Sequence, residues 1–408
     1  MAPHVVAATS PLAHPFEFND YFSKSFPVVR KTNAAKQVRK SQEQTLPSKP
    51  VTLSPARKVH HPKAEEQWHT KTAIAFDIDG VLLRGGHVLP EGKRALRMLN
   101  GENPKKKKVP HVFITNGGGV TEDKRAADLS KKFGVNILPS QIVQSHTPMK
   151  SLVDKYKDQL VLVVGGEGLA CREVAKEYGF TKVAVPDDIA HWNSTVWPFR
   201  KLHPDYIKEK DSAETEAIAY DFMTEPIAAV LVFHDSRDWG FDMQIIIDVL
   251  TSRGGYIGTA QEGDIKQAVP LYFSNPDVIW STDFPIPRYG QGALRIATGA
   301  LFKHTTGKDM EYTLFGKPYS TTYAWAETTL ENYAKAQGVT LPPREERKVY
   351  AIGDNPASDI KGALAQDRWE PILVKTGIAK ENDPEYPAPY VMNHVEDAIK
   401  FILDKELD

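Results

Sequence analysis

Short apolar runs separated by polar, amphipathic stretches set the plan of this chain. Residues 73–76 are an unbroken apolar run, the pattern of a strand buried on both faces. Similar runs at 112–114, 161–164, 228–233, 272–273, from 349 and at 371–374 predict further buried strands. Between them, segments at about 91–99, 123–133, 292–301 and a last one carrying Val395, Ala398, Ile399 and Ile402 read as amphipathic helices. Asn100-Gly101 and Gly134 supply their stop signals. Strands alternating with helices predict an α/β fold built on a doubly wound parallel sheet.

The polar residues at the strand ends change the picture from fold to chemistry. In open parallel sheets, ligands bind beyond the carboxyl ends of the strands. The 73–76 strand delivers Asp77 and Asp79 there and stops at Gly80. Two carboxylates so close repel unless a proton or cation relieves them, and a hard divalent cation such as Mg2+ suits oxygen ligands. A D-x-D pair alone also occurs in exposed loops.

The 112–114 strand ends in Thr115-Asn116-Gly117-Gly118-Gly119, a hydroxyl followed by backbone N–H groups that could cradle an oxyanion. An ordinary strand-to-helix turn is the plainer reading of that segment. Further on, Lys317 stands between Gly316 and Pro318, and the strand from 349 delivers Asp354. Asp359 is expected at the start of a helix whose Ile360, Ala363 and Leu364 share a face.

The middle of the chain, 146–289, has an α/β pattern of its own. Its glycine cluster Gly165-Gly166-Glu167-Gly168 lacks the full dinucleotide register and reads as a turn. His234-Asp235 and Asn275-Pro276-Asp277 again follow apolar runs, polar groups placed where a strand stops. Trp192, Trp197 and Phe199 are read as core packing.

Composition narrows the classes. With 51 basic and 52 acidic residues there is no basic field to suggest nucleic acid. The one cysteine, Cys171, excludes an internal disulfide framework and reads as a buried small hydrophobe. No apolar run approaches the length of a membrane span. Residues 1–68 differ from the rest: rich in Pro, Ser, Lys and Arg and without hydrophobic period, they read as a disordered extension. The tail is basic, but Lys and Arg are missing from its first 23 residues, where Glu17 and Asp20 occur, so an organelle-targeting segment and a plain extension both stay open.

Paired aspartates, a threonine, a lysine and an acidic pair, in that order, resemble the four motifs of the haloacid dehalogenase superfamily of phosphohydrolases, over about residues 72–376. Only about 35 residues separate the first two motifs, whereas some 200 separate Thr115 from Lys317. An insertion there resembles the C2 cap of class IIA members, and the second and fourth motifs look most like the cat eye syndrome critical region branch. The resemblance implies a Rossmann-like core at 69–145 and 290–408 with a cap at 146–289. It also implies a mitochondrial location, with the cytoplasm as alternative, and a link to glycerophospholipid metabolism.

On this resemblance Asp77 is the nucleophile that forms an aspartyl-phosphate, and Asp79 the general acid and base. Thr115 and Lys317 complete the catalytic set, with Asn116, Gly117, Asn275 and Asp277 on the substrate. Asp77, the Asp79 carbonyl, Asp354 and Asp359 would hold Mg2+. The expected activity is removal of phosphate from a small phosphorylated metabolite. A phosphotransferase, or a binding or scaffold protein with little turnover, is the alternative. The expected partners are that small substrate and a second copy of the chain through the cap, with no nucleic acid and no membrane span.

Overall fold

The computed structural model describes residues 68–199 and 220–407. The extension expected at 1–68 lies outside the described residues except for Trp68. In chain order, β1 (Thr72–Phe76) is followed by a small hairpin, β2 (Leu83–Arg84) and β3 (His87–Val88), and by α1 (Pro90–Leu99). Next come β4 (His111–Ile114), α2 (Glu122–Phe133) and β5 (Ile142–Val143). The middle holds β6 (Leu160–Val164), α3 (Ala170–Tyr178), β7 (Lys182–Ala184), β8 (Ala229–Val232), α4 (Trp239–Thr251) and β9 (Leu271–Phe273). A second hairpin, β10 (Ile279–Trp280) and β11 (Arg288–Tyr289), leads to α5 (Gln291–Thr306) and β12 (Thr313–Leu314). The chain then runs through α6 (Ser320–Ala336), β13 (Lys348–Gly353), β14 (Trp369–Val374), β15 (Tyr390–Met392) and α7 (Val395–Glu406).

Two sheets result. The larger has the order β15-β14-β13-β1-β4-β5 and the smaller β12-β9-β8-β6-β7, and every pairing within them is parallel. Every residue of β1 is buried, as its apolar run predicts. On one face, Ile74 and Phe76 pack with Leu96 and Leu99 of α1 and Ile399 and Ile402 of α7. On the other, Ala73 and Ala75 pack with Tyr323, Ala326 and Leu330 of α6. Fully burying a side chain as large as Phe76 is worth about 1.5–3 kcal/mol, so the central strand is held from both sides.

In the larger sheet the chain runs from β1 outward through β4 to β5, and later fills the other side with β13, β14 and β15. The gap between β1 and β13 is therefore a switch point, where a crevice opens at the strand ends. The smaller sheet has its own switch between β6 and β8.

Three expectations are corrected. Residue 289 does not end the second sheet's territory, because α5 packs into its core through Leu294 and Phe302 and β12 pairs with β9. Trp192 and Trp197 pack against that core, but Phe199 is 87% exposed. The turn after β13 starts at Pro356, not Asp359, and Asn355 caps it by accepting from the Ala357 N–H. The Gly165–Gly168 cluster forms a turn in which three glycines have positive φ, and the Gly166 N–H donates to the Asp235 carbonyl.

Candidate active site

Asp77 and Asp354 emerge side by side because β1 and β13 pair in parallel, Phe76 opposite Ile352. The Asp77 N–H extends that ladder by donating to the Ile352 carbonyl at 2.9 Å. Gly80, with φ of 95°, turns the chain at once, and a Cβ there would lie 2.4 Å from Asp354 Oδ2. The Asp79 carboxylate faces the end of β4, where its Oδ2 is 3.3 Å from the Cβ position of Gly117. Burial raises the Asp79 carboxyl above its ordinary value, against the pull of Arg125 and Lys317.

Lys317 enters from the smaller sheet, three residues past β12. Its buried ammonium donates to Asp77 Oδ1 at 2.6 Å and to the Ile114 carbonyl at 2.9 Å, and lies 2.6 Å from Asp359 Oδ1. Asp359 Oδ2 accepts the N–H groups of Asp354 and Asn355, so both of its oxygens are engaged. Asp354 Oδ2 accepts from the Ile378 N–H at 2.6 Å. No partner for Asp77 Oδ2 or Asp354 Oδ1 appears among the described residues.

Asp77, Asp354 and Asp359 each offer a carboxylate oxygen within 4.8 Å of the others. One lysine does not balance three such acids. Burial raises the Asp77 carboxyl, Lys317 draws it down, and Asp359, Asp354 and Asp79 push it up again. This oxygen-only set fits a divalent cation. The Asp79 carboxylate stands outside it.

Thr115 Oγ1 accepts from the Gly117 N–H at 2.9 Å, which leaves the hydroxyl proton free for a ligand. The Gly117 N–H expected for substrate is thereby spent, and so is that of Gly119, which donates to His146 Nε2 at 3.1 Å. The N–H groups of Asn116 and Gly118 have no partner among the described residues and remain for an anion.

Asn116 joins the sheets. Its amide donates to Asp277 Oδ2 at 2.8 Å and to the Lys317 carbonyl at 3.0 Å, while its Oδ1 accepts the Lys317 N–H at 2.8 Å. Asn275 Nδ2 donates to the Asn116 carbonyl. Asn116, Asn275 and Asp277 thus spend these hydrogen bonds on one another, although all three border the cavity. That cavity, of about 380 Å³, is lined by every expected site residue: Asp77, Asp79, Thr115, Asn116, Gly117, Asn275, Asp277, Lys317, Asp354 and Asp359.

Comparison with known proteins shows the family. A haloacid dehalogenase-like hydrolase model matches residues 74–181, and a second model of the same hydrolase type matches 314–398. A mitochondrial hydrolase of Saccharomyces cerevisiae is 36% identical over 353 residues, which cover 82% of this chain and 96% of its own length. The chain belongs to the haloacid dehalogenase-like hydrolases.

A cardiolipin synthase (CMP-forming)/mitochondrial hydrolase fusion protein of Schizosaccharomyces pombe is 40% identical over 338 residues, 82% of this chain. The chain spans about half, 53%, of that relative's length. A possible sugar phosphatase from Cytophaga hutchinsonii has the same fold, with a TM-score of 0.53 at 16% identity over 81% of this chain and 98% of its own.

One part of this haloacid dehalogenase-like hydrolase has no signal in its sequence. His146 is fully buried, stacks on Phe233 with ring centroids 5.5 Å apart, and lies under the glycine loop, where a Cβ on Gly118 would be 2.6 Å from its Cδ2. Since Nε2 accepts from Gly119, Nδ1 carries the proton and donates to the Tyr178 hydroxyl at 2.7 Å. Tyr178 in turn donates to Glu122 Oε1 at 2.8 Å, which also faces Thr147 Oγ1 and Lys150. Burial lowers the imidazole to about 4, so it stays neutral as this chain of bonds requires. Nothing in Gln144-Ser145-His146-Thr147 announces such a role. A glycine run needing a partner beneath it is the one available hint.

Proposed function

We propose that this hydrolase is a Mg2+-dependent phosphomonoesterase that works through an aspartyl-phosphate on Asp77. The observation that carries the reading is a buried carboxylate clamped by an ammonium, with a second carboxyl, two residues on, turned to the glycine loop at the end of β4. In this reading the larger sheet is the catalytic core, and the smaller sheet, through β12, is a cap.

An Asp77 oxygen attacks phosphorus, and the bond from phosphorus to the ester oxygen breaks. Lys317 offsets charge on the nucleophile and on the phosphoryl group as it transfers. The Thr115 hydroxyl and the Asn116 and Gly118 N–H groups bind phosphoryl oxygens. Asp79, which burial favours in its protonated form, gives its proton to the leaving oxygen. It then takes a proton from the water that attacks the aspartyl-phosphate, and orthophosphate leaves. Asp77 and Asp354 would hold the cation, with Asp359 fixing Lys317 and the Asp354 loop. When bound, the cation neutralises phosphoryl charge and aligns it for attack.

Both relatives carry the word mitochondrial in their names, which supports a mitochondrial location for this chain. The Schizosaccharomyces pombe relative joins its hydrolase to a cardiolipin synthase, which supports a substrate in glycerophospholipid metabolism. The test is hydrolysis of a panel of phosphomonoesters with and without Mg2+, wild type against Asp77→Asn. Metal-dependent release of phosphate that the variant lacks is expected. Metal binding without turnover of any ester would favour a binding protein, and an acceptor-dependent product a phosphotransferase.

A further inference from the structure

Three glycines in a row, Gly117-Gly118-Gly119, make a loop that cannot hold its own shape. Glycine has no side chain to pack and gives up more conformational freedom on ordering than any other residue. The polar groups of the run are therefore held from outside. The Gly117 N–H goes to Thr115 Oγ1, and the Gly117 carbonyl accepts the Ser145 N–H at 3.1 Å. The Gly118 carbonyl accepts from Arg125 Nη2 at 3.2 Å, and the Gly119 N–H donates to His146 Nε2. From the Gly117 N–H to the Gly119 N–H, the Gly118 N–H alone lacks a partner among the described residues.

The Gly118 carbonyl and the Gly119 N–H are the two edges of one peptide group. That group is thus gripped on both sides, by a guanidinium and by an imidazole. A peptide plane is rigid and turns only about the bonds that flank it, and a glycine on either side makes such a turn easy. Here the plane cannot turn without breaking one bond or both. Its orientation fixes the course of the chain through Gly118, whose N–H is the one left for an anion.

Arg125 lies in the first turn of α2, which Thr121 caps. Helical side chains tilt toward the N-terminus, so Arg125 reaches back over the glycine loop. Its plane is fixed in turn: Nε donates to Gln144 Oε1 at 3.3 Å, and Gln144 Nε2 donates to the Val120 carbonyl at 2.7 Å. Gln144 is fully buried and directly follows β5. Arg125 borders the cavity, which by itself would suit a charge aimed at the anion. Two of its three nitrogens, however, are engaged by Gly118 and Gln144. A guanidinium serves both acceptors at once because its donors share a rigid plane, whereas an ammonium is a point charge.

We propose that Arg125 is a positioning residue that, together with His146, locks the Gly118–Gly119 peptide so that the Gly118 N–H meets a phosphoryl oxygen. This rests on the phosphatase reading for the identity of the anion, and adds to it the group that shapes the anion cradle.

The experiment is a double-mutant cycle on orthophosphate affinity, read by calorimetry on the full Mg2+-loaded chain. Arg125→Met removes the donors at one edge of the peptide, and His146→Phe the acceptor at the other. Each should weaken orthophosphate binding about 10-fold, the usual effect of one lost buried hydrogen bond. The double variant should also lose about 10-fold, not about 100-fold, because a peptide released at one edge gains little from release at the other. Arg125→Lys keeps the charge without the plane and should bind no better than Arg125→Met. Gln144→Leu, which leaves the guanidinium unanchored, should weaken binding a few-fold. Retained Mg2+ binding reports that each variant is folded; should Arg125→Met lose it, Arg125→Lys takes its place in the cycle. A loss of about 100-fold in the double variant, wild-type affinity in Arg125→Met, or recovery in Arg125→Lys would overturn the positioning role and leave the phosphatase reading standing. A wild type that binds orthophosphate but hydrolyses no phosphomonoester would overturn the phosphatase reading, while the cycle still decides the role of Arg125. No orthophosphate binding by the wild type would overturn both.

Discussion

The Lys317 ammonium lies 2.6 Å from the Asp77 carboxylate, and that bond joins the end of a strand in one sheet to the end of a strand in the other. Asp77 continues β1, whereas Lys317 is reached through β12, so the pair exists only when both sheets are folded and in place. Both groups are buried, and Asp359 shares the ammonium from the second side.

Replacing Lys317 with Met keeps the length and removes the charge. The Asp77 and Asp359 carboxylates are then left buried without their cation, a change that typically costs about 3–5 kcal/mol. Loss of charge stabilisation at the phosphoryl group adds a fall in kcat of about 100-fold or more. Denaturant melts and phosphomonoester kinetics on Lys317→Met check both effects. A variant within a few-fold of wild type in turnover would remove Lys317 from the chemistry.

Gly377 has an ordinary backbone φ, so only space restricts it. A Cβ at this position would fall 1.7 Å from Asp354 Oδ2, the oxygen held by the Ile378 N–H. Gly377→Ala must therefore push the Asp354 carboxylate off its seat while leaving its charge intact. Divalent-cation affinity should fall by about 10-fold or more, in the range seen when a ligand's supporting contacts are lost. Calorimetric titration with Mg2+ reads this without reference to activity, and an unchanged affinity would exclude Asp354 as a ligand.

The strand ends that carry Asp77, Thr115 and Asp354 were legible because each follows an apolar run that can only be a buried strand, and the sheet does the rest. What joins them was not. Asn116 and Asp277 bond across 161 positions, and no local period or turn signal links residues so far apart. β12 is two residues long, too short to declare which sheet it pairs with, so the second sheet was expected to end before it. Asp359 was expected to open a helix because carboxylates commonly cap; its side chain instead turns back to the N–H groups of Asp354 and Asn355. His146 serves a loop 27 positions earlier and looks in sequence like any other histidine.

Asp277 gives the fold a pH dependence with a definite sign. Burial raises its carboxyl to about 7, with Asn116 and Lys317 drawing it down, against about 3.9 in an unfolded chain. Between these values the folded chain holds a proton that the unfolded chain has lost, so stability falls as pH climbs from about 4 to about 7. Asn at 277 still accepts from Asn116 and does not titrate. The stability of Asp277→Asn relative to wild type should grow across that window by up to about 1.4 kcal/mol per pH unit, less the screening that partial solvent access allows, and then level off. Parallel stability curves from pH 5 to 8 would show that Asp277 is charged in the folded state throughout.

His146 is a positioning residue, and its effect can be told apart from simple packing. Its Nε2 holds the Gly119 N–H, and its ring forms the floor under Gly118, whose own N–H is left for an anion. His146→Phe keeps a ring that can stack on Phe233 but loses the acceptor, so the Gly119 N–H is freed and the loop is no longer pinned. Orthophosphate, which needs only the cradle, should then inhibit about 10-fold more weakly, the usual cost of one lost buried hydrogen bond. His146→Gln restores an acceptor near the position of Nε2 and should recover part of that affinity. Tyr178→Phe, which cuts the bond to Nδ1 one step further out, should lie between wild type and the phenylalanine variant at 146. A packing role alone would lower the stability of all three variants and leave their orthophosphate inhibition constants equal to that of the wild type.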